Sequence, residues 1–178
     1  FTKNTVMRYG GAIYLNSRNN VVDRCVFDSN SADYDGGAIY VEARYNTIKN
    51  STFVNNKAKG EGGAVYINGR YGKIVSSAFI CNSAKKGYDI YCDSSSCELY
   101  GSIILGNTHK NAVYSSKSFS AGKNWWGNVE SNKNVKPDVN KKVDLENNWI
   151  YLKDEVKYDH TGSLPSAVLK ASLWSNKI

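Results

Sequence analysis

A glycine-rich motif returns along the chain at a nearly constant interval, and this repeat constrains the folds that the chain can adopt. Gly-Gly-Ala-Ile-Tyr at 10–14 recurs at 36–40, and Gly-Gly-Ala-Val-Tyr follows at 62–66, each copy 26 residues after the last. A weaker copy, Gly-Tyr-Asp-Ile-Tyr, stands at 87–91. A fixed interval of this length indicates a solenoid, in which each repeat is one unit that stacks on its neighbours.

A second motif, Phe-x-x-Asn, keeps the same interval and the same phase. Its first positions are Phe1, Phe27, Phe53 and Phe79, with Ile104 in a fifth copy. Its last positions are Asn4, Asn30, Asn56, Asn82 and Asn107. Two motifs that stay in phase over several copies strengthen the case for stacked repeats.

The composition of each repeat indicates strands rather than helices. Each repeat holds short runs of β-branched and aromatic residues separated by Gly, Asn and Ser, without the i, i+3, i+4 apolar spacing of a helix. Leucine-rich repeats are excluded because their Leu-x-x-Leu-x-Leu core is absent. We therefore predict an all-β fold, a right-handed parallel β-helix with coils of about 26 residues and a rise of roughly 4.8 Å per coil.

Residues one interval apart should lie above one another in such a fold, and three of the resulting columns are interpreted as structural. The inward aliphatic column is expected at Ile13, Ile39, Val65 and Ile90. The inward aromatic column is expected at Phe27, Phe53 and Phe79. An asparagine ladder, in which side-chain amides bond to one another at a bend, is expected at Asn30, Asn56, Asn82 and Asn107.

The alternation of Gly-Gly-Ala-[Ile/Val] with Phe-x-x-Asn resembles the repeats of the chlamydial polymorphic membrane proteins. The tract also resembles the adhesin-like surface proteins of methanogenic archaea. Those proteins commonly close a β-helix tract with an Asn-[Tyr/Trp]-Trp-Gly motif, which is similar to Asn124-Trp125-Trp126-Gly127 here. The resemblance implies a parallel β-helix on a cell surface with an adhesive role, and it carries no catalytic residues over.

The chain divides into three parts on this evidence from its sequence. Residues 1–128 are predicted to form the β-helix, with Trp125 and Trp126 covering the exposed end of its last coil; a sugar-stacking platform is the alternative for these two tryptophans. Residues 129–148 are polar and are predicted to be a linker. Residues 149–178 contain two apolar runs, at 149–152 and 167–173, that predict strands. These strands would belong to an immunoglobulin-like module or to a hairpin packed on the last coil.

Four cysteines allow three interpretations. Cys92 and Cys97 could close a small loop as a disulfide, which would indicate an oxidising, extracellular setting. A zinc site is an alternative with less support, because the spacing is not Cys-x-x-Cys and neither His109 nor His160 is close in the sequence. Free thiols in a reducing environment are the third interpretation. We expect no metal site and no cofactor.

A column of tyrosines alternates with the inward aliphatic column and is therefore expected to face outward. Its members are Tyr14, Tyr40, Tyr66 and Tyr91. Exposed tyrosines would offer apolar area with a hydrogen-bonding tip, which suits glycan or protein binding. The alternative is that these tyrosines only stabilise the coils by stacking on one another.

Three arginines, Arg18, Arg44 and Arg70, are spaced by 26 residues, in phase with both motifs. Stacked coils would bring these like charges to about 5 Å from one another at the backbone, which is unfavourable unless the side chains splay, find carboxylates or meet an anionic ligand. The hypothesis that follows is a rim that binds a repeating acidic polymer. A solvated turn with splayed arginines is the alternative.

The predicted function is adhesion at an extracellular cell surface by a rigid β-helix stalk. Its partner would be a glycan, with acidic glycans among the candidates, or a surface protein of another cell. The net charge of +7 favours acidic partners. Because no nucleic-acid-binding module and no membrane-length apolar run occur in the sequence, we expect this segment to contact neither nucleic acid nor membrane.

Two other functions stay open: a passive spacer that presents a binding module located elsewhere in the parent protein, and a polysaccharide lyase-like β-helix enzyme. We expect no enzyme activity. Apart from Asp35 and Glu61, which share a column, the acidic residues of the repeats lie in different columns. The sequence also lacks a nucleophile–base pair, a phosphate-binding loop and a dinucleotide motif.

Overall fold

The computed structural model describes residues 1–105, 111–126, 139–145, 150–152 and 173–175. Up to residue 145 the described chain winds as a parallel β-helix of about five turns, which agrees with the predicted fold class. Each strand there pairs in parallel with the equivalent strand of a neighbouring coil, and the described residues contain no helix.

Each coil contributes one short strand to each of several parallel sheets. The first sheet contains β2 (Ile13–Leu15), β6 (Ile39–Val41), β10 (Val65–Ile67), β13 (Ile90–Cys92) and β16 (Val113–Ser115). The second contains β3 (Val21–Asp23), β7 (Thr47–Lys49), β11 (Lys73–Val75), β14 (Cys97–Tyr100), β17 (Phe119–Ser120) and β18 (Val143–Asp144). The third contains β4 (Val26–Asp28), β8 (Thr52–Val54), β12 (Ala78–Ile80) and β15 (Ile103–Leu105). The fourth contains β1 (Thr5–Val6), β5 (Ser31–Ala32) and β9 (Lys57–Ala58).

The interior is filled by columns with one residue from each coil. In the first sheet Val65 pairs with Ile39 on one side and with Ile90 on the other, as the repeat predicts. The rings of Phe27, Phe53 and Phe79 are fully buried and stack with centroids 4.8 and 4.9 Å apart. Because successive coils bury equivalent side chains, apolar burial stabilises the stack evenly along its axis.

The two glycines of the Gly-Gly motif have different roles in the turn before the first sheet. Gly36 has a φ of 67°, a left-handed conformation that residues without a Cβ adopt at no steric cost. A Cβ on Gly37 would instead collide with the carbonyl oxygen of Gly63 in the next coil. One glycine therefore supplies the backbone conformation, and the other allows neighbouring coils to approach closely.

The asparagine ladder lies at the bend between the third and fourth sheets. Asn30 donates from Nδ2 to Oδ1 of Asn56 at 2.9 Å, and Asn56 donates in the same way to Asn82 at 2.9 Å. All three side chains are buried. Asn82 in turn donates to Oδ1 of the buried Asp89 at 2.8 Å. Asn107 lies outside the described residues.

Two further ladders occupy other corners, and the sequence reasoning missed both. The backbone nitrogen of Asn20 donates to Oδ1 of Asn46 at 2.8 Å. A serine ladder lies at another corner, where each backbone N–H donates to the side-chain oxygen one coil later. Its members are, in order, Cys25, Ser51, Ser77, Ser102 and Asn124. Together the ladders satisfy corner backbone groups that strand pairing leaves unbonded.

The Asn-Trp-Trp motif at 124–126 stacks on β15, the last described strand of the third sheet. Asn124 ends the serine ladder, and Trp125 forms an isolated parallel bridge with Ile103. Trp126 is partly buried and packs against the core. The cap interpretation of the two tryptophans stays a prediction.

The β-helix extends into residues predicted to be a linker. Val143–Asp144 pairs in parallel with β17, and Val143 and Leu145 are buried in the core. Asn140 donates from Nδ2 to the carbonyl oxygen of Ser115 at 2.7 Å. The linker prediction therefore does not hold for residues 139–145, because two apolar side chains and one ladder-type bond suffice to add a strand to the second sheet.

The described C-terminal strands are β19 (Ile150–Leu152) and β20 (Leu173–Ser175), which pair antiparallel with Tyr151 opposite Trp174. The first of them falls within the strand predicted at 149–152, and the second begins where the predicted 167–173 strand ends. Their membership of an immunoglobulin-like module stays a prediction.

The structure gives Cys92 and Cys97 as free thiols, without the disulfide that is one of the three interpretations of the sequence. Cys92 ends β13 and Cys97 begins β14, so both side chains are buried at one corner of the core. Cys92 pairs with Ile67, and so its thiol replaces an aliphatic side chain in an inward column. The hydrogen bond between the two thiols, together with burial, raises the pKa of Cys92.

Candidate functional site

Opposite charges on the surface of the β-helix are paired between neighbouring coils. The pairs, with the separation of Nζ and carboxylate oxygen, are Lys59–Asp33 at 2.7 Å, Lys73–Glu98 at 3.2 Å, Lys86–Glu61 at 3.5 Å and Lys49–Asp23 at 3.6 Å. Coil stacking therefore matches a base with an acid at each of these places, which removes the repulsion that like charges would cause.

The arginine column departs from this arrangement, because the same turn repeats the same charge. The turn follows the first sheet, and its positive-φ residue comes directly after each arginine. The φ angles are 62° at Asn19, 63° at Tyr45 and 61° at Tyr71. This shared turn geometry places Arg18, Arg44 and Arg70 at equivalent positions on successive coils, where all three are exposed.

The three arginines line one open groove of about 720 Å³. Its other lining residues are Asn16, Glu42 and Asn68, which directly follow strands of the first sheet, and the small residues Ser17, Ala43 and Gly69. We call this feature the arginine groove. A Cβ on Gly69 would collide with the carbonyl oxygen of Ala43, so the floor of the groove is closely packed backbone.

Arg18, Arg44 and Arg70, the arginines of the groove, form no ion pair within the part of the chain that the structure describes. The guanidinium carbon of Arg70 lies 5.5 Å from the ring centroid of Tyr71, a cation–π contact that orients the side chain and leaves its charge in place. Glu42 lines the groove as well, and no described ion pair includes its carboxylate.

Two exposed tyrosines border the arginine groove. Tyr45 and Tyr71 stack with ring centroids 4.9 Å apart. The sequence signal for them was their place directly after two of the arginines, but sequence reasoning assigned them no role. Because each ring covers a face of the other, the pair offers ring edges and hydroxyl groups to a ligand rather than a broad aromatic face.

The tyrosine column is on the predicted side of the first sheet, but the prediction that it is exposed is wrong for most of it. Tyr14 is 42% exposed, whereas Tyr40, Tyr66 and Tyr91 are 9%, 8% and 7% exposed. The rings stack with centroids 4.9 to 5.2 Å apart between Tyr14 and Tyr91, so their faces are covered by one another. They form a second apolar cluster outside the main core, which agrees with the stabilising alternative.

Burial of the tyrosine column also affects its hydroxyl groups. Burial raises the pKa of Tyr40, Tyr66 and Tyr91, and the carboxylate of Asp93 raises all three further. The side chain of Asn68, which lines the arginine groove, partly opposes the raised pKa of Tyr40.

Asp35 and Glu61, the acidic residues that share a column, make contacts within the repeats. Oδ1 of Asp35 accepts a hydrogen bond from the backbone nitrogen of Glu61 at 2.8 Å, and Glu61 pairs with Lys86. No group of three or more His, Cys, Asp or Glu residues that could hold a metal ion occurs in the described ranges. His109 and His160 lie outside the described residues.

The geometry defines the class as a parallel β-helix that carries an exposed basic groove on one of its turns. The family model described as "Right handed beta helix region" matches residues 1–151, and the chain belongs to this family. The family includes both lyases and proteins without enzyme activity, so membership does not decide whether this chain is an enzyme. No curated protein and no solved structure matches the chain. Among the residues that the structure describes, no helix is long and apolar enough to cross a membrane.

Proposed function

We propose that this chain is an adhesive segment of an extracellular cell-surface protein, and that its arginine groove binds a linear acidic polymer. The observation that carries the proposal is the column of Arg18, Arg44 and Arg70, which stacks three like charges that form no ion pair among the described residues. The described acid–base pairs elsewhere on the β-helix show that stacked coils can neutralise their charges. An anionic ligand would supply the missing partners.

The position of the groove supports a ligand that extends along the solenoid. One arginine is presented by each of three successive coils, so the positive charges form a line parallel to the stacking direction. A single small anion would neutralise only one of them. A polymer can contact all three at once, and each further contact adds affinity without a second loss of translational freedom.

Resemblance to adhesin-like surface proteins supports the adhesive part of the proposal, and the regular core supports a rigid stalk. A passive spacer is the competing function. It uses the same core and ladders, but it gives no reason for a column of three arginines without ion pairs among the described residues. We propose no enzyme activity, because Asp35 accepts a hydrogen bond from the backbone of Glu61 and the Glu61 carboxylate pairs with Lys86.

Isothermal titration calorimetry with polygalacturonate as the acidic polymer tests the proposal. The wild-type chain is compared with the triple variant Arg18→Gln, Arg44→Gln, Arg70→Gln. The matched control is Lys3→Gln, Lys57→Gln, Lys85→Gln, which removes the same charge from exposed lysines elsewhere. We expect the arginine variant to bind at least about tenfold more weakly, because exposed ion pairs contribute up to about 1 kcal/mol each. The lysine variant should bind nearly as tightly as the wild type.

Equal losses in the two variants would show nonspecific attraction by net charge and would contradict a specific groove. Absence of binding by the wild-type chain at low and at physiological salt, to polygalacturonate and to a sulfated glycan, would favour the spacer. Release of unsaturated oligosaccharides from polygalacturonate would instead favour a lyase.

A further inference from the structure

We propose that Cys92 and Cys97 are a redox-active thiol pair, which a disulfide-bearing oxidant converts into a disulfide that closes the turn between β13 and β14. The structure shows the reduced state of this pair, in which both cysteines are free thiols. The modification does not depend on what the arginine groove binds.

The two thiols lie at the two ends of one short turn. Cys92 is the last residue of β13 and Cys97 is the first residue of β14, so only four residues separate them. Lys73 pairs with Glu98, which places Cys97 one coil after Gly72. The cysteines are 0% and 1% exposed, so both side chains point into the corner of the core that this turn encloses.

The two sulfur atoms converge on the backbone of the turn and on each other. Cys92 Sγ donates to the carbonyl oxygen of Ser94 at 3.1 Å, and Cys97 Sγ lies 3.8 Å from that of the next residue, Ser95. The hydrogen bond between the thiols lowers the pKa of Cys97 and raises the pKa of Cys92. Cys97 is therefore the thiol that ionises first, and the thiolate is the nucleophile in disulfide exchange.

An amide closes the equivalent turn in the second coil, which contains β6 and β7. There Asn46 donates from Nδ2 to the carbonyl oxygen of Ala43 at 2.7 Å. Cys97 occupies the same position in the fourth coil, which contains β13 and β14. Its thiol has only long contacts with carbonyl oxygens, the shorter one at 3.6 Å from Gly69. A covalent bond to Cys92 would supply the closure that a weak thiol donor does not.

The oxidation is a thiol–disulfide exchange with a small disulfide such as oxidised glutathione. The Cys97 thiolate attacks one sulfur of the oxidant and releases one glutathione thiolate, which leaves a mixed disulfide. Cys92 then displaces the second glutathione, and each released thiolate takes up the proton of one cysteine. Two electrons pass from the cysteines to the oxidant, so that one disulfide forms and one is reduced. Because both sulfurs are buried, the turn must open locally for the first attack.

Equilibration of the full chain in glutathione buffers, followed by alkylation and peptide mass spectrometry, tests the pair. We expect Cys92 and Cys97 to be oxidised together, in a peptide that has lost two hydrogen atoms. The ratio of disulfide to dithiol should fall with the square of the reduced glutathione concentration, because two thiols are released. Modification of the exposed Cys81 releases only one thiol and should follow the first power. The oxidised chain should melt about 5 °C higher than the reduced chain.

Two variants separate the pair from the other cysteines. Cys25→Ser with Cys81→Ser introduces the residue that neighbouring coils carry at the same positions, as Ser51 and Ser29. This control should keep the squared dependence and the shift in melting temperature. Cys97→Asn introduces the residue of the second coil at this corner, and its melting temperature should not change with the glutathione ratio. Circular dichroism establishes the fold of each variant.

The titration of the wild-type chain decides the proposal even where a variant does not fold. Cys92 and Cys97 that stay free thiols in buffers that fully modify Cys81 would overturn it. A mixed disulfide with glutathione as the final product at either cysteine would overturn it too, because the second displacement would then not occur. An oxidised chain that melts below the reduced chain would show that the turn does not accommodate the bond.

Discussion

The side chain of Asn56 donates from Nδ2 to Oδ1 of Asn82, 2.9 Å away and one coil later. The same nitrogen also donates to the carbonyl oxygen of Phe27 at 3.0 Å. Oδ1 of Asn56 accepts from the backbone nitrogen of Asn30 at 3.0 Å. One buried amide thus satisfies polar groups of the coils on both sides of it, and the coils are coupled by more than strand pairing.

Replacement of Asn56 by Ala should lower the free energy of unfolding by about 3 kcal/mol, because buried donors and acceptors of neighbouring coils would lose their partner. Urea unfolding monitored by circular dichroism measures the change. Asn16→Ala is the control, since Asn16 is exposed, and we expect a change within about 0.5 kcal/mol. Similar losses in the two variants would argue against a structural role specific to the ladder.

Gly37→Ala should destabilise the protein strongly, by about 3 kcal/mol or more, since the added methyl group collides with backbone of the next coil. Gly72→Ala provides the comparison. The methyl group there would meet the Cγ2 of Ile67, a side-chain atom that can move, so its cost should be smaller. Thermal melting of the two variants shows which substitution destabilises the protein more. A higher melting temperature for Gly37→Ala than for Gly72→Ala would contradict the close coil approach.

The tyrosine column should titrate separately from the exposed tyrosines. Burial raises the pKa of Tyr40, Tyr66 and Tyr91, whereas free tyrosine ionises near pH 10. Absorbance at the phenolate band should therefore rise in two steps, with the second step coinciding with loss of the circular dichroism signal. Changing Tyr66 to Phe should reduce only the second step. A single step near the ordinary pKa, with the fold intact, would contradict a buried column.

The carboxyl of Asp35 should make stability fall as pH rises. Burial raises its pKa above the usual 3.8, although the backbone N–H of Glu61 opposes this. The folded state then binds the proton more tightly than the unfolded state, so its contribution is complete below pH 3.8 and is lost as pH rises through the raised pKa.

The substitution Asp35→Asn keeps an acceptor for Glu61 N–H and removes the titration. The stability of the wild type relative to this variant should therefore decrease as pH rises through the acidic range into neutrality. Urea unfolding at a series of pH values measures the difference. A difference that grows in favour of the wild type over the same range would show that the pKa of Asp35 is lowered instead.

The sequence predicts the inward columns well because a constant interval and strand alternation determine them. Ile39, Val65 and the phenylalanine stack follow directly from those two rules. The exposure of Tyr66 does not follow, because alternation gives the side of the strand, whereas neighbouring rings decide how much solvent reaches it.

The last coil and the corner that holds Cys92 and Cys97 also have features that the repeat interval and strand alternation do not determine. Val143 joins the core after a polar run that breaks the repeat interval, so no column points to it in the sequence. Cys92 and Cys97 are near enough in sequence to suggest a bond, but their burial as free thiols depends on the corner between β13 and β14. The arginine spacing, by contrast, was visible in the sequence, and the structure adds the shared groove and the absence of described ion partners.

Arginine-selective labelling with phenylglyoxal, quantified by peptide mass spectrometry with and without polygalacturonate, tests the central claim most directly. The chain contains five arginines, and Arg8 and Arg24 are exposed controls outside the groove. We predict that the polymer protects Arg18, Arg44 and Arg70 from labelling while Arg8 and Arg24 react at an unchanged rate. Equal protection of all five, or protection of none under conditions where the polymer binds, would contradict the assignment of the arginine groove as the binding site.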